Sequence, residues 1–173
     1  MRAAGVRNWS RFHSLPLSKR YAETREEQTI LLDRQNELAC VVLGEGKACW
    51  LVQTCWTTPA GYVEAANEQE KFQEVRTYGL EHAFSFLDDP EDEEAAPWNV
   101  MAAPVCWKAS AFDDTLLRIA NEQAAPTLWT SAESGAVFAP YDGGVDVFLP
   151  SEEMAKKLRS RFADWQSPHP SGL

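Results

Sequence analysis

Three short strand-like runs in the C-terminal part of the chain are joined by turns too short to contain a helix. They are PTLWTS, GAVFAPY and VDVFLP (126–131, 135–141 and 145–150), with turns at AESG and YDGG. Such connections favour antiparallel pairing, because parallel strands need a much longer crossover. Asp142-Gly143 is a strong tight-turn signal, since both residue types tolerate positive φ. The sequence therefore predicts a largely antiparallel sheet.

Three further runs are predicted to be strands. They cover residues 47–56 (KACWLVQTCW), 81–87 (EHAFSFL) and 98–108 (WNVMAAPVCWK). Both faces of the first run are fairly apolar, which indicates a central position in the sheet. Pro104 in the third run cannot donate a ladder hydrogen bond, so that strand is expected at an edge or with a bulge.

The first helix has clear signals at both ends. Thr24 and Glu27 form the capping box T-R-E-E, which opens a helix expected over residues 25–43. Gly44 is expected to end it in a left-handed conformation. Residues 62–80 are ambiguous, with helix character around NEQEKFQEV.

Two later helices are predicted from caps and apolar spacing. Ser110 is the candidate N-cap of the segment SAFDDTLLRIANEQA, and Ser151 is expected to cap the last helix. The residues expected to face the core in these helices are Phe112, Leu116, Ile119, Ala120, Met154, Leu158 and Phe162.

These elements predict an α+β fold, a single domain over residues 1–173 with a mostly antiparallel sheet and packed helices. The segment 166–173 is expected to be flexible or to lie along the surface. The chain has seven tryptophans, and Trp50 and Trp107 are expected to be mostly buried because each lies in a run of apolar residues.

Composition narrows the function classes. The net charge of −10 argues against nucleic acid and anionic membrane surfaces as partners; a basic protein partner, or solubility alone, fits this charge better. No apolar run has signal-peptide or membrane-spanning length. The four cysteines form no C-x-x-C pair, so no metal site is expected and they are predicted to be buried free thiols in a reducing cytoplasm. No cofactor fingerprint is present.

The stretch RFHSLPLSKRY (11–21) is the main candidate for chemistry. Lys19 and Arg20 are suited to a phosphate or carboxylate, with Ser14 and Ser18 adding hydrogen bonds. His13 titrates near neutrality and is a candidate base. The structural alternative is a strand entering a turn, with these polar groups satisfying the backbone or the acidic residues of the following helix.

The turn YDGG supplies two more candidate ligand-binding residues, Tyr141 and Asp142. Asp142 is otherwise explained by the turn itself. Asp146 lies four residues further on, about 13 Å away in a strand, so the two carboxylates are not expected to share one ion. We expect Asp146 to form a bidentate ion pair with Arg20, while Lys19 stays exposed.

Two stretches resemble one known family. FHSLPLSKRY, and PYDGGVDVFLP followed by LRSRFADWQSPHPSGL, look like the bacterial domain of unknown function 3885 family. That family has no established activity, so no catalytic role can be carried over from it. The resemblance implies a cytoplasmic single-domain bacterial protein. It implies a special role for Ser14, Leu15, Pro16, Ser18, Lys19, Arg20, Tyr141, Asp142, Gly143 and Gly144.

Three functions stay open, the third being a housekeeping interaction protein that dimerises through an edge strand. The first is a non-enzymatic binding module, for example an immunity-type partner of a basic protein toxin. The acidic run DDPEDEE (88–94) is either a solvated loop or a contact for such a partner. The second is a small-ligand-binding protein or enzyme that uses Lys19 and Arg20 to hold an anionic group. The sequence predicts neither a cofactor nor an oligomeric state.

Overall fold

The computed structural model describes residues 7–55, 70–87 and 97–166. The described strands are β1 (Trp9–His13), β2 (Ala48–Cys55), β3 (Glu81–Phe86), β4 (Trp98–Cys106), β5 (Thr127–Ser131), β6 (Val137–Tyr141) and β7 (Gly144–Phe148). They form a seven-stranded sheet of order β1-β7-β6-β5-β2-β4-β3. Every neighbouring pair is antiparallel, as the short connections predict.

The described helices are α1 (Arg25–Ala39), α2 (Gln73–Tyr78), α3 (Asp113–Ala120) and α4 (Glu152–Arg161). A π-helical segment, Cys40–Gly44, continues α1, and short 3-10 segments cover Pro16–Ser18, Glu70–Phe72 and Ala163–Trp165. Mixed helix and antiparallel sheet confirm the α+β class. None of the helices in the described ranges is long and apolar enough to cross a membrane.

The capping signals of α1 and α4 are confirmed. Thr24 Oγ1 accepts a hydrogen bond from the Glu27 amide, and the Glu27 carboxylate accepts one from the Thr24 amide. Gly44 ends the π-helical segment with φ at 89°. Ser151 Oγ accepts from the Met154 amide.

One face of the sheet packs against α1, α3 and α4. Alternate residues of β2 are buried, whereas the residues between them are partly or mostly exposed. The buried face carries an aromatic cluster, in which Trp107 contacts the rings of Phe112, Trp129 and Phe138 at 5.2–5.6 Å. The functional side chains discussed below lie at one end of this sheet and on its other face.

Two expectations about tryptophan and proline need correction. Strand β2 is central, between β5 and β4, but Trp50 is 44% exposed because it points away from the helices. Trp107 is fully buried, as expected. Strand β4 is not at an edge, since β3 pairs beside it; β3 reaches only Ala102, so Pro104 lies beyond its end. The irregularity in this pairing falls between His82 and Phe84, not at Pro104.

The start of α3 and the packing of α4 also differ from the prediction. Ser110 does not cap α3: it has φ at 64°, its amide donates to Asn36 Oδ1, and the helix starts three residues later. Met154 is 45% exposed, because α4 turns the neighbouring Ala155 and then Leu158 and Phe162 to the core. The four inward residues expected for α3 are all buried.

The cysteines are free, but they are not all buried. Cys49 and Cys55 are buried, Cys40 is intermediate and Cys106 is exposed. Of the ambiguous stretch 62–80, the structure describes a 3-10 turn and α2 from residue 70 onward. The acidic run 88–94 and the tail from 167 onward lie outside the described residues.

Candidate functional site

The two stretches that carry the family resemblance meet at one end of the sheet. Strand β1 pairs with β7, so the loop that follows β1 lies beside the β6–β7 turn. The Ser14 amide donates to the Gly143 carbonyl at 3.4 Å, and Arg20 binds Asp142. Most of the predicted site residues are therefore gathered around the two-residue turn Asp142-Gly143.

The turn is tight for a different reason from the one expected. Neither Asp142 nor Gly143 lies in the left-handed region of φ. The glycine that matters is Gly144, where a Cβ would fall 2.2 Å from the Phe12 carbonyl oxygen. The pairing of β1 with β7 leaves no room for a side chain at this position.

Arg20 forms an ion pair with Asp142, not with Asp146 as the sequence suggested. Its Nε and Nη2 both contact Asp142 Oδ2, and Nη2 also lies 3.5 Å from Glu122 Oε1. Tyr21 donates its hydroxyl to the same Asp142 oxygen at 3.2 Å. The side chain of Asp142 is only 13% exposed, whereas that of Arg20 is 59% exposed. The pair thus ties the loop after β1 to the β6–β7 turn.

Asp146 instead binds Arg11, which lies opposite it across the β1–β7 pair. The contact is bidentate, with Nε–Oδ1 at 2.7 Å and Nη2–Oδ2 at 2.8 Å. The guanidinium also lies over the rings of Trp9 and Tyr141, at 5.4 and 5.0 Å. The hydrogen bond to Asp146 raises the pKa of Arg11. Burial raises the pKa of Tyr141 to about 12, so its phenol stays protonated and able to donate.

Lys19 is partly exposed, and its ammonium binds two carboxylates at the N-terminus of α1, one just before the helix and one in its first turn. Its Nζ lies 2.7 Å from Glu27 Oε1 and 3.0 Å from Glu23 Oε2. Hydrogen bonds to Glu27 and Glu23 raise the pKa of Lys19. Together with the Arg20 pairs, these contacts mean that both cations of the predicted anion site already bind carboxylates.

His13 lies close to the turn, in a setting that favours its neutral form. Burial, followed by the charge of Arg11, lowers its pKa, while a backbone hydrogen bond with Gly143 acts in the opposite direction. Its Nε2 atom is buried and has no hydrogen-bond partner among the described residues. The Arg34 guanidinium donates to the His13 carbonyl at 3.2 Å.

The two serines of the motif have different environments. Ser14 is buried, and its Oγ accepts a hydrogen bond from Gln35 Nε2 at 2.8 Å, so it anchors the loop to α1. Ser18 is exposed and has φ at 56°, as does the preceding Leu17. Leu15, between them, is buried at 1% exposure. These contacts favour a structural role for Ser14 and Leu15.

A cavity of about 780 Å³ opens beside the turn, on the sheet face away from α1 and α4. Its walls include apolar side chains from four strands, and its charged lining residues are Arg11, Lys71, Glu122, Asp142 and Asp146. The apolar lining residues on strands are Val52, Leu128, Val137, Ala139 and Phe148. Tyr141 and Arg11 also line it, which joins the cavity to the predicted site.

Sequence reasoning did not assign a site role to Arg11, Tyr21 or Glu122. Asp146 lies between Val145 and Val147 in a predicted strand, whereas Arg11 lies in a stretch for which a strand was only one of the alternatives. What the sequence lacked was the strand order that places β1 beside β7. Glu122 follows α3, and no local pattern connects it to Arg20.

Comparison with known proteins gives one match. The model of the family described as domain of unknown function (DUF3885) matches residues 1–170. No curated protein and no solved structure matches the chain.

Proposed function

The chain belongs to the DUF3885 family, and from the geometry of its site we propose that it is a non-enzymatic binding module for a basic protein partner. In its more specific form, the proposal is that the partner is a protein toxin and that the chain acts as its immunity protein in the bacterial cytoplasm. The docking surface is the 780 Å³ cavity together with the carboxylates that line it.

The single observation that carries this proposal is the composition of the cavity. Strand side chains give it an apolar floor, and its charged lining residues are Arg11, Lys71, Glu122, Asp142 and Asp146. Two of the three carboxylates are already paired within the chain, Asp146 with Arg11 and Asp142 with Arg20. Glu122 is the most accessible of the three, with 61% of its side chain exposed. An apolar floor with a charged margin is the arrangement typical of protein interfaces.

The net charge of the whole molecule also favours a basic partner. With 26 acidic and 16 basic residues, the chain carries a net charge of −10. Such a field speeds the approach of a positively charged partner and slows that of an acidic one. The partner's arginine or lysine side chains would then reach Glu122, next to the Arg20–Asp142 pair.

The alternative function, binding of an anionic small molecule by Lys19 and Arg20, has less support. An anion would have to displace Glu23 and Glu27 from Lys19, or Asp142 from Arg20. These carboxylates belong to the same chain as Lys19 and Arg20. Their effective concentration at the two cations is therefore high, and a free anion has to compete with it.

The test begins with capture of partners from the native host, followed by reconstitution with the purified partner. We expect a basic protein that binds wild type and whose toxicity is relieved by co-expression. Glu122→Lys and Val137→Arg should weaken binding by at least about tenfold, or about 1.4 kcal/mol. Glu133→Lys is the matched control, because this carboxylate is 77% exposed and lies on the β5–β6 turn.

Circular dichroism verifies that each variant is folded. An acidic partner, or equal binding by wild type and both cavity variants, contradicts the proposal. Relief of toxicity by all three variants contradicts its immunity form.

A further inference from the structure

The two edges of the sheet differ in how their backbone is protected. At the β1 edge, Arg159 Nη1 donates to the Trp9 carbonyl and Arg34 Nη1 donates to the His13 carbonyl, both at 3.2 Å. These side chains come from α4 and α1 and obstruct the pairing of another strand with β1. The opposite edge is β3, and within the described ranges no strand pairs on its outer side.

The backbone of β3 directs its free hydrogen-bonding groups outward at Ser85. In β4, alternate residues point their backbone groups toward β2, beginning at the strand's end with Trp107, whose amide donates to the Lys47 carbonyl. The residues between them, which include Val100, point theirs toward β3. Val100 pairs with Phe84, so the backbone groups of Phe84 face β4 and those of Ser85, the next residue, face away from the sheet.

The side chains of this edge are apolar although every residue of β3 is exposed. Phe84 and Phe86 lie on the same sheet face, are 56% and 42% exposed, and have ring centroids 6.4 Å apart. Leu87, directly after the strand, is 41% exposed. Glu81 is the only acidic or basic residue in the sequence from 81 to 87 apart from one histidine. An exposed apolar edge promotes uncontrolled association unless another strand covers it.

The sequence of the edge is symmetric about Ser85. Phe84-Ser85-Phe86 reads the same in both directions, and its central residue is the one whose backbone faces outward. If two copies pair antiparallel about a two-fold axis at Ser85, the two serines exchange both backbone hydrogen bonds, and Phe84 of each copy lies opposite Phe86 of the other. Side chains approach closest in such non-hydrogen-bonded pairs, so four rings meet on one sheet face. The edge is therefore complementary to itself.

Charge does not oppose this arrangement. The pairing about Ser85 covers residues 83–87, none of which is charged, and the acidic run 88–94 is not part of it. Leu87 of one copy lies opposite Ala83 of the other, so the two Leu87 residues are about 13 Å apart along the strands. This distance exceeds the Debye length of about 8 Å at physiological ionic strength, beyond which charges are largely screened.

We propose that the protein forms a two-fold symmetric homodimer through β3, in which the two seven-stranded sheets join into one continuous sheet. Because the β1 edge is obstructed, each copy has one edge to pair, and the assembly closes at two copies. The strand residues that line the cavity come from β1, β2, β5, β6 and β7, so the dimer contact and the cavity occupy different parts of the sheet. The dimer goes beyond the proposed function and does not depend on a basic partner.

Sedimentation velocity of the full chain, from about 5 to 200 µM, tests the dimer. We expect a reversible equilibrium with a limiting mass of twice 19.4 kDa, and hydrogen-exchange protection of the Ser85 amide that rises with concentration. Added salt should strengthen the dimer, because each copy carries a net charge of −10 and the contact itself is apolar. Phe84→Lys should weaken association by at least about tenfold. Trp50→Lys is the matched control, because this side chain is 44% exposed but lies on a central strand.

A second pair of variants tests the backbone contact separately. Ser85→Pro removes the outward amide and none that faces β4, and proline is tolerated in this position of an edge strand. Ser85→Ala keeps the amide and removes only the hydroxyl, which contacts His82 and Asn99 within the same copy. We expect the proline variant to be monomeric and the alanine variant to dimerise like wild type. Circular dichroism verifies that both are folded.

A wild-type chain that stays monomeric up to about 200 µM overturns the inference, as do assemblies larger than a dimer. It is also overturned by a dimer that persists in Phe84→Lys or Ser85→Pro, that Trp50→Lys disrupts, or that salt weakens. Glu122→Lys and Val137→Arg leave β3 unchanged and should leave the dimer intact. Failure of the dimer is therefore distinct from failure of the cavity as the docking surface.

Discussion

Arg11 and Arg20 form similar ion pairs with different access to solvent. The side chains of Arg11 and Asp146 are 20% and 19% exposed, whereas that of Arg20 is 59% exposed. Removal of Arg11 leaves a largely buried carboxylate without its bidentate donor and also removes a cation from two aromatic rings. We expect Arg11→Ala to lower the free energy of unfolding by about 2 kcal/mol. Arg20→Ala should cost about 1 kcal/mol or less, because its charge is well solvated.

Urea denaturation of the two variants measures the difference. The double variant Arg11→Ala/Asp146→Ala is the control, and it should recover part of the loss because no orphaned carboxylate is left. An Arg20→Ala variant less stable than Arg11→Ala would contradict this ranking.

The environment of His13 predicts how the stability of the protein depends on pH. Its pKa is lowered in the folded protein, first by burial and then by the charge of Arg11. As pH falls, the unfolded chain therefore takes up a proton at His13 before the folded protein does. The stability that the neutral imidazole contributes to the fold is present above the ordinary pKa of 6.5 and is lost as pH falls below it. We expect the melting temperature of wild type to fall more than that of His13→Gln between about pH 7.5 and pH 5.5. Parallel curves for the two proteins would contradict this sign.

Among the elements, those specified by local contacts were predicted best. The capping box of α1 and the Ser151 cap of α4 involve residues three positions apart, which a sequence displays directly. The prediction that Trp50 on β2 is mostly buried was wrong. Alternation shows that a strand has two faces, but it does not show which face the helices cover. The partner of Arg20 was wrong for a related reason: the chain positions that meet are 122 residues apart.

The β6–β7 hairpin provides a prediction at the same scale. A Cβ on Gly144 would lie 2.2 Å from the Phe12 carbonyl oxygen, a backbone atom held by the β1–β7 pairing. We expect Gly144→Ala to lower the free energy of unfolding by about 3 kcal/mol, because the strands must separate locally. Gly143→Ala is the matched control, since its nearest neighbour is the Tyr141 ring at 3.3 Å, which can move. Equal stabilities in chemical denaturation would show that the two turn positions are equivalent.

Across the described residues, the first strand and the last helix of the chain are joined through the sheet. Strand β1 pairs with β7, and α4 donates a hydrogen bond to the β1 edge. A single large cluster of buried side chains links α1, α3 and α4 to one sheet face. The strand residues that line the cavity lie on the opposite face, and of the core cluster Ile119 and Ala125 also line it, so packing and proposed recognition occupy mostly different sides of one sheet. This separation allows surface variants to be tested without loss of the fold.

Trp50 and Trp107, which were both expected to be buried, test directly whether the two sheet faces have different roles. Trp107 is fully buried and contacts three other aromatic rings, so its removal leaves a large cavity in the shared core. We expect Trp107→Ala to lower the free energy of unfolding by about 3–5 kcal/mol. Trp50 is 44% exposed on the other face, and Trp50→Ala should cost about 1 kcal/mol or less. Urea denaturation followed by far-ultraviolet circular dichroism avoids the change in fluorescence that either substitution causes. Equal losses would mean that both sheet faces contribute to one core, and that the face with the cavity is not free for a partner.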